Sequence, residues 1–286
     1  MERMSRKILY RAALLCTLAV LCSCGGYNQI LKSRDSELKY RTALEYFDQK
    51  KYQKAANLFS DVAEDFAGTM REDTVVFFTA ASFYFMGDHD TSGSLFDDFR
   101  RRYGRSPFLE EAEYMYAMGY YYSSPAPERD QTNTTLALMA IDTYLERYPN
   151  SDKREEMLAR IGELTQKLHD KAYLNAKTYY DTGKYKAAVV ALKNAIDRYP
   201  ESNHREELMF LVLKSGFELA ENSIVILQRD RYQKALDYYY SFASEYPESR
   251  YIKEADKMER KAQQFLTRFS EDENANSTEN SNTDGD

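Results

Sequence analysis

The chain has 286 residues, is 43% apolar and 14% aromatic, and carries a formal net charge of −7. It is long enough for one extended domain or two compact ones with a substantial core. Only 11 Gly and 6 Pro occur and Trp is absent, which favours helices joined by short loops over a many-stranded sheet. The acidic balance leaves nucleic-acid binding without an electrostatic basis.

The first 23 residues read as an address rather than structure. Arg3, Arg6, Lys7 and Arg11 make a basic start, and Ala12 to Leu21 is apolar but too short to span a bilayer. The stretch ends in Leu21-Cys22-Ser23-Cys24, an aliphatic residue and small residues ahead of a cysteine. This lipobox pattern predicts cleavage after Ser23 and lipidation of Cys24. Cleavage removes Cys16 and Cys22, so no thiol remains for a disulfide or a metal site. It also removes four basic residues and Glu2, which makes the mature chain net −10. The lipid is expected to hold the protein stably on a membrane. Residues 24–35 read as a short lipidated tether.

From residue 36 the chain repeats itself, and repeats of this period indicate an all-α, tetratricopeptide-repeat superhelical solenoid of about five helix pairs. A first unit carries Ala43, Tyr46, Tyr52, Ala55, Phe59 and Val62. A second carries Ala80, Phe83, Gly87, Ser92, Phe96 and Phe99. A third has Gly119 and Tyr122, then Ala137, Ile141, Tyr144 and Pro149, with an insertion from Ser123 to Thr134 between its helices. The fourth is the clearest: Ala176 and Tyr179, the turn Gly183-Lys184-Tyr185, then Ala188, Leu192, Ala195 and Pro200. The fifth, after an insertion near Glu221 to Asp230, shows Tyr232, Ala235, Tyr239, Phe242 and Pro247. Small residues let two helices cross closely and large ones fill the groove between them.

Three near-identical closures end these units: Arg147-Tyr148-Pro149-Asn150-Ser151, Arg198-Tyr199-Pro200-Glu201-Ser202 and Glu245-Tyr246-Pro247-Glu248-Ser249. Proline stops a helix and pushes the residue before it out of the helical region. The following Asn or Ser can cap the next helix, and the acids after it complement the helix dipole. Arg250 to Arg268 reads as a terminal capping helix. The repeats thus occupy 36–269, with N-terminal units over about 36–105 and C-terminal units over about 106–269. Residues 270–286 hold six acids and no base, and their polar composition predicts a disordered tail.

No catalytic chemistry emerges. His89, His169 and His204 are scattered, one per repeat unit, and there is no His-x-x-x-His or Cys-x-x-Cys pair, no phosphate loop and no nucleophile elbow. No metal or cofactor is expected, and the sequence points away from an enzyme. The pairs Glu110-Glu111, Glu155-Glu156 and Glu206-Glu207 fit first-turn helix acids. Runs such as Tyr120-Tyr121-Tyr122, Tyr179-Tyr180 and Tyr238-Tyr239-Tyr240 cannot all face one core, because adjacent helical residues point about 100° apart. Some of these rings are therefore expected at a protein-binding surface.

Taken together, the lipobox, five repeats, the insertion in the third and the Tyr-Pro-Asn-Ser turn after it resemble the BamD (ComL-type) family of outer-membrane assembly lipoproteins. The run Glu113-Tyr114-Met115-Tyr116-Ala117-Met118-Gly119 is similar to the family segment that opens the third repeat. The resemblance runs from Cys24 to about Arg268. It implies a non-enzymatic subunit of the β-barrel assembly machine. N-terminal repeats would recognise unfolded outer-membrane β-barrel clients, and C-terminal repeats would dock a POTRA module of a BamA-like barrel-forming subunit. Carried onto this sequence, client contact falls on Tyr46 and Phe66, where Asp65-Phe66-Ala67 departs from the family's Arg-Tyr-Pro. The family's partner-contacting arginine falls near Ala191, so docking contacts pass to Tyr180, Lys184 or Lys186.

Gly25-Gly26-Tyr27-Asn28 carries no acid. It lacks both an inner-membrane retention Asp and a surface-export cluster, which predicts the periplasmic face of the outer membrane. Two alternatives stay open. A lipoprotein scaffold for pilus or secretin assembly would favour uniform 34-residue repeats. A SusD-type solute-binding lipoprotein would favour a longer chain with Trp.

Overall fold

A computed structural model describes the backbone of residues 26–283 and the side chains of residues 26–271. The leader, Cys24 and its expected lipidation lie outside the described residues. Helix α1 covers residues 26–31. It is followed by α2 (Ser36–Asp48), α3 (Tyr52–Val62), α4 (Glu72–Phe85), α5 (His89–Arg102), α6 (Leu109–Ser123) and α7 (Thr132–Arg147). Then come α8 (Arg154–Asp181), α9 (Tyr185–Arg198), α10 (Arg205–Glu221), α11 (Val225–Glu245) and α12 (Ile252–Thr283). No strand occurs among the described residues.

Local chemistry sets the ends of these helices. Asp35 caps α2 by accepting the Leu38 amide at 2.9 Å, and Asp88 caps α5 by accepting that of Thr91 at 3.1 Å. Gly87 and Gly183 turn the chain between paired helices with φ of 80° and 71°, a region that favours glycine. The Tyr-Pro closures stop the helices as their sequence predicts, but α10, with His204 at its N-cap, lacks the side-chain cap expected from the serine. Tyr148, Tyr199 and Tyr246 leave the helix at φ −122°, −135° and −131°. The serine after each proline fixes the turn, its Oγ accepting the amide two residues on. Ser151 accepts from Lys153 at 3.3 Å, Ser202 from His204 at 3.2 Å and Ser249 from Tyr251 at 3.0 Å. Ser106 does the same with Phe108 at 3.2 Å, without a Tyr-Pro ahead of it.

The chain divides into two compact units. The first comprises the residues up to Pro125 together with Gln131–Leu164, and the second Ala126–Asp130 with everything from Thr165. In the first unit each helix from α2 to α7 packs on the next. Small residues that are wholly buried, Ala43, Ala55, Ala80, Ala112, Ala117 and Ala137, alternate with Phe59, Phe96, Phe99, Ile141 and Tyr144, and this lets the helices approach closely. In the second unit α9, α10, α11 and α12 follow one another in the same way. Ala188 and Leu192 make one core with Ala176 of α8, and Phe210, Tyr232, Phe242 and Met258 make another. Gly216 has a packing reason, since a Cβ there would stand 2.9 Å from the Tyr238 ring.

The architecture is all-α, with the five tetratricopeptide-type helix pairs expected (α2/α3 to α10/α11) and a terminal helix. Three details differ from the sequence reading. The third-repeat insertion stays a loop, but the fifth-repeat insertion is mostly helix, because α11 starts at Val225. Helix α1 is not a free tether: Tyr27 and Ile30 pack on the first core. Helix α12 runs on to Thr283 in its backbone, into the segment whose composition predicts disorder.

Candidate functional site

In the second unit the C-terminal end of α8, the Gly183 turn and the outer face of α9 enclose a groove of about 860 Å³ with the end of α10. The turn closes on itself: the Gly183 amide donates to the Tyr180 carbonyl and that of Lys184 to the Tyr179 carbonyl, each at 2.9 Å. Helix α9 presents two faces. Ala188, Leu192 and Ala195 go into the core, while Ala187, Val190, Ala191 and Asn194, spaced i, i+3, i+4, i+7, line the groove. Tyr179 and Leu219 complete an apolar wall, and Lys184 and Lys186 stand at its edge. Val190 is 58% exposed and Tyr179 42%, so the wall is open to a partner. Neither lysine sits in an ion pair among the described residues.

Of the three residues expected to make docking contacts, Lys184 and Lys186 line this groove, as does Ala191. Tyr180 does not. It lies on the core side of α8 with Ala176, its ring 6.0 Å from Tyr185 and under Lys214. The ring in the groove is Tyr179. The signal was present, since Tyr180 is four residues from the buried Ala176 and shares its face.

In the first unit both residues expected to contact clients are covered. Phe66 is 9% exposed and belongs to the core; Tyr40 packs on it at 5.1 Å and the Arg71 guanidinium lies 5.9 Å from its ring. The aromatic kept without its Arg and Pro thus serves packing. Tyr46 is half-buried beneath α1: Tyr27 meets it edge-on at 5.8 Å, and Lys51 and Lys54 lie 5.5 and 5.4 Å from its ring. Asn57 donates to the Tyr27 hydroxyl at 3.2 Å. Tyr27 was not legible as a contact, because it lies in what reads as a tether.

Several tyrosines bond acids of a neighbouring helix. Tyr114 donates to Glu156 at 3.1 Å, Tyr173 to Glu207 at 2.7 Å and Tyr239 to Asp256 at 2.9 Å. Glu156 and Glu207, both first-turn acids, thus accept from a tyrosine in another helix, and burial with the Asp256 bond pushes Tyr239 up to about 12. Only Tyr122, Tyr179 and Tyr240 among the described tyrosines are exposed. The histidines pack against nearby tyrosines. His169 is buried against Tyr199, and His204 stacks on Tyr173 at 4.2 Å with Asp170 at 2.6 Å. No group of three His, Cys, Asp or Glu able to hold a metal occurs among the described residues, and no described helix is long and apolar enough to cross a membrane.

Comparison with known proteins gives the chain its relatives. The sequence model of the YfiO family, described as "Outer membrane lipoprotein", matches residues 32–223. Similar curated proteins are all named "Outer membrane protein assembly factor BamD". That of Caulobacter vibrioides is 23% identical over 68% of this chain and 63% of its own length. That of Rickettsia prowazekii is 20% identical over 70% of this chain and 78% of its own. That of Neisseria meningitidis serogroup B is 22% identical over 87% and 94%. The chain thus spans just under two thirds of the Caulobacter protein. Among solved structures, the TPR2AB-domain:pHSP90 complex of yeast Sti1 aligns over 80% of this chain and 98% of that one, at 15% identity and a TM-score of 0.38. With its model matched over two thirds of the sequence, the chain belongs to the YfiO family of outer membrane lipoproteins.

Proposed function

We propose that the protein is a non-enzymatic subunit of the machinery that assembles outer-membrane β-barrels, anchored by lipid at Cys24 on the periplasmic face. The relatives named as assembly factors support the role. The observation that carries the mechanism is the open groove on α9. Its apolar floor of Val190, Ala191 and Leu219 suits an apolar segment, and Lys184 and Lys186 suit an acidic group beside it. The occupant is a POTRA module of a BamA-like barrel-forming subunit. Since Ala191 replaces the family's arginine, affinity here rests on apolar contact and the two lysines rather than one bidentate ion pair.

Unfolded barrel proteins are the clients of the first unit. With Phe66 in the core, that role passes to the surface around Tyr46, and α1 has to leave Tyr46 before a client ring can stack there. From Cys24 to Tyr27 the chain reaches at most about 11 Å, so the lipid holds the first unit close to the membrane where clients insert.

Affinity purification from outer membranes tests the reading: a POTRA-containing barrel protein co-purifies. Recovery of a pilus secretin without any barrel-assembly subunit would overturn it. Replacing Cys24 by Ala releases the protein as a soluble periplasmic species; retention on the membrane by the body alone would refute the anchor.

A further inference from the structure

The turn between α10 and α11 has its polarity partly reversed. Four consecutive aliphatic residues face water: Ile224 at 68% exposure, Val225 at 66%, Ile226 at 78% and Leu227 at 41%. Asn222, Arg229 and Asp230 are exposed beside them, while Gln228 and Arg231 turn inward. Gln228 donates to the Ala220 and Glu221 carbonyls at 3.3 and 3.4 Å, and Arg231 donates to the Ser223 hydroxyl. Arg229 lays its guanidinium over Phe269 at 5.6 Å. Glu221 is bound by Lys261 and by the Tyr232 hydroxyl. The segment is therefore ordered from within, and its apolar side chains are held outward by groups that a water-facing turn would itself have presented to solvent.

The four side chains make one contiguous exposed aliphatic patch, and a patch of this kind marks an interaction surface. Its shape limits what can cover it. Ile224 precedes α11 with φ −64° and ψ 147°, and Val225, Ile226 and Leu227 form its first turn. Neighbouring residues there point about 100° apart, so the four side chains spread around the end of the helix instead of lining one face. A protein groove receives a stripe. A fluid apolar phase closes around a tip from every side. No side chain caps the α11 N-terminus, and the Leu227 amide turns back to the Ile224 carbonyl at 2.9 Å, which leaves the Val225 and Ile226 amides at the positive end of the helix dipole. Lipid phosphates satisfy such amides at the depth where the aliphatic side chains would enter the acyl region.

We infer that the Ile224–Leu227 tip dips into the phospholipid leaflet of the membrane on which this outer membrane lipoprotein resides, as a second, non-covalent contact. The tip does not span, since no described helix can, and it is separate from the α9 groove, which none of the four residues lines.

The chain contains no Trp, so Ile226→Trp gives a lone reporter in the full-length mature protein carrying Cys24→Ala to remove the anchor. Vesicles of phosphatidylethanolamine and phosphatidylglycerol are the probe. The expected result is a blue shift of the emission and its quenching by lipids brominated on the acyl chains. In flotation without the reporter, Ile224→Asp and Ile226→Asp each lower vesicle partitioning roughly tenfold, with circular dichroism unchanged. Emission that ignores vesicles overturns the inference. So does emission that shifts only when a soluble POTRA fragment is added, which would assign the tip to a protein partner. The reporter measurement stands even if an aspartate variant fails to fold.

Discussion

Arg147, the last residue of α7, donates to Glu113, a carboxylate buried at 4% exposure inside α6. The pair ties the two helices of the third repeat together across the loop that separates them in sequence. The same relation recurs in the second repeat, where Arg102 and Tyr103 at the end of α5 both reach Glu72 at the start of α4, at 2.9 and 2.7 Å. In the fifth repeat its charges are exchanged, with Arg205 in α10 holding Glu245 at the end of α11 at 2.6 Å. A helix-end residue thus clamps the partner helix of its own pair.

Removing Arg147 leaves the buried Glu113 carboxylate without its counter-charge. We expect Arg147→Ala to lower the unfolding free energy by about 2–3 kcal/mol, and Glu113→Gln, which removes the buried charge itself, to cost less. Urea unfolding of both variants checks the order. Equal effects, or none, would show that the pair is a solvent-screened contact.

Lys50 turns the chain between α2 and α3 at φ 58°, where Gly87 and Gly183 stand in later repeats. A side chain in that region is strained. Lys50→Gly is expected to raise stability by about 0.5–1 kcal/mol, and Gly183→Ala to lower it by about 1 kcal/mol. Thermal melts with opposite shifts support this; a lower melting temperature for Lys50→Gly contradicts it.

Glu72 accepts the Tyr103 hydroxyl, the Gly68 amide and Arg102, and these bonds, the tyrosine's first, hold its carboxyl below the usual 4.5. Burial, with the same bond second, pushes Tyr103 up to about 12. A depressed carboxyl stabilises the fold fully above its unfolded value, and the contribution fades as pH falls through the folded value. Glu245, held down by Arg205, acts in the same direction. Stability should therefore be level from pH 7 to 5 and decline below about 4.5. In Tyr103→Phe that decline is smaller; an unchanged acid profile would remove Glu72 from its cause.

If the α9 groove is the docking surface, Val190→Asp places a charge on its apolar floor and removes most binding to a POTRA fragment, by at least roughly tenfold. Lys184→Gln with Lys186→Gln weakens it less and makes it less salt-dependent. Tyr180→Phe keeps the core ring and leaves docking unchanged. Binding isotherms at two salt concentrations separate the three.

Truncation after Ser270 tests the tail. Its acidic, Asn- and Ser-rich sequence offers little apolar area to bury, so the melting temperature of the shortened chain should match that of the whole. A fall of several degrees would mean that the end of α12 contributes to the fold.

Periodicity and punctuation alone established the five helix pairs. The Ala and Phe positions at helical spacing name the faces that must be buried, and Tyr-Pro-x-Ser names the places where a helix has to stop. Those properties belong to a few consecutive residues, so no distant contact is needed to read them. Tyr179 against Tyr180 was legible too, by counting four residues on from Ala176. Other assignments needed the packed chain. Phe66 went to the core, and Tyr46 went under Tyr27, because Tyr40, Arg71 and a segment that reads as tether come to rest on them. The reversed polarity at Ile224–Leu227 was hidden for the same reason. In sequence it is four aliphatic residues followed by polar ones; only the bonds from Gln228 and Arg231 back to α10 and its turn decide which of them face the water.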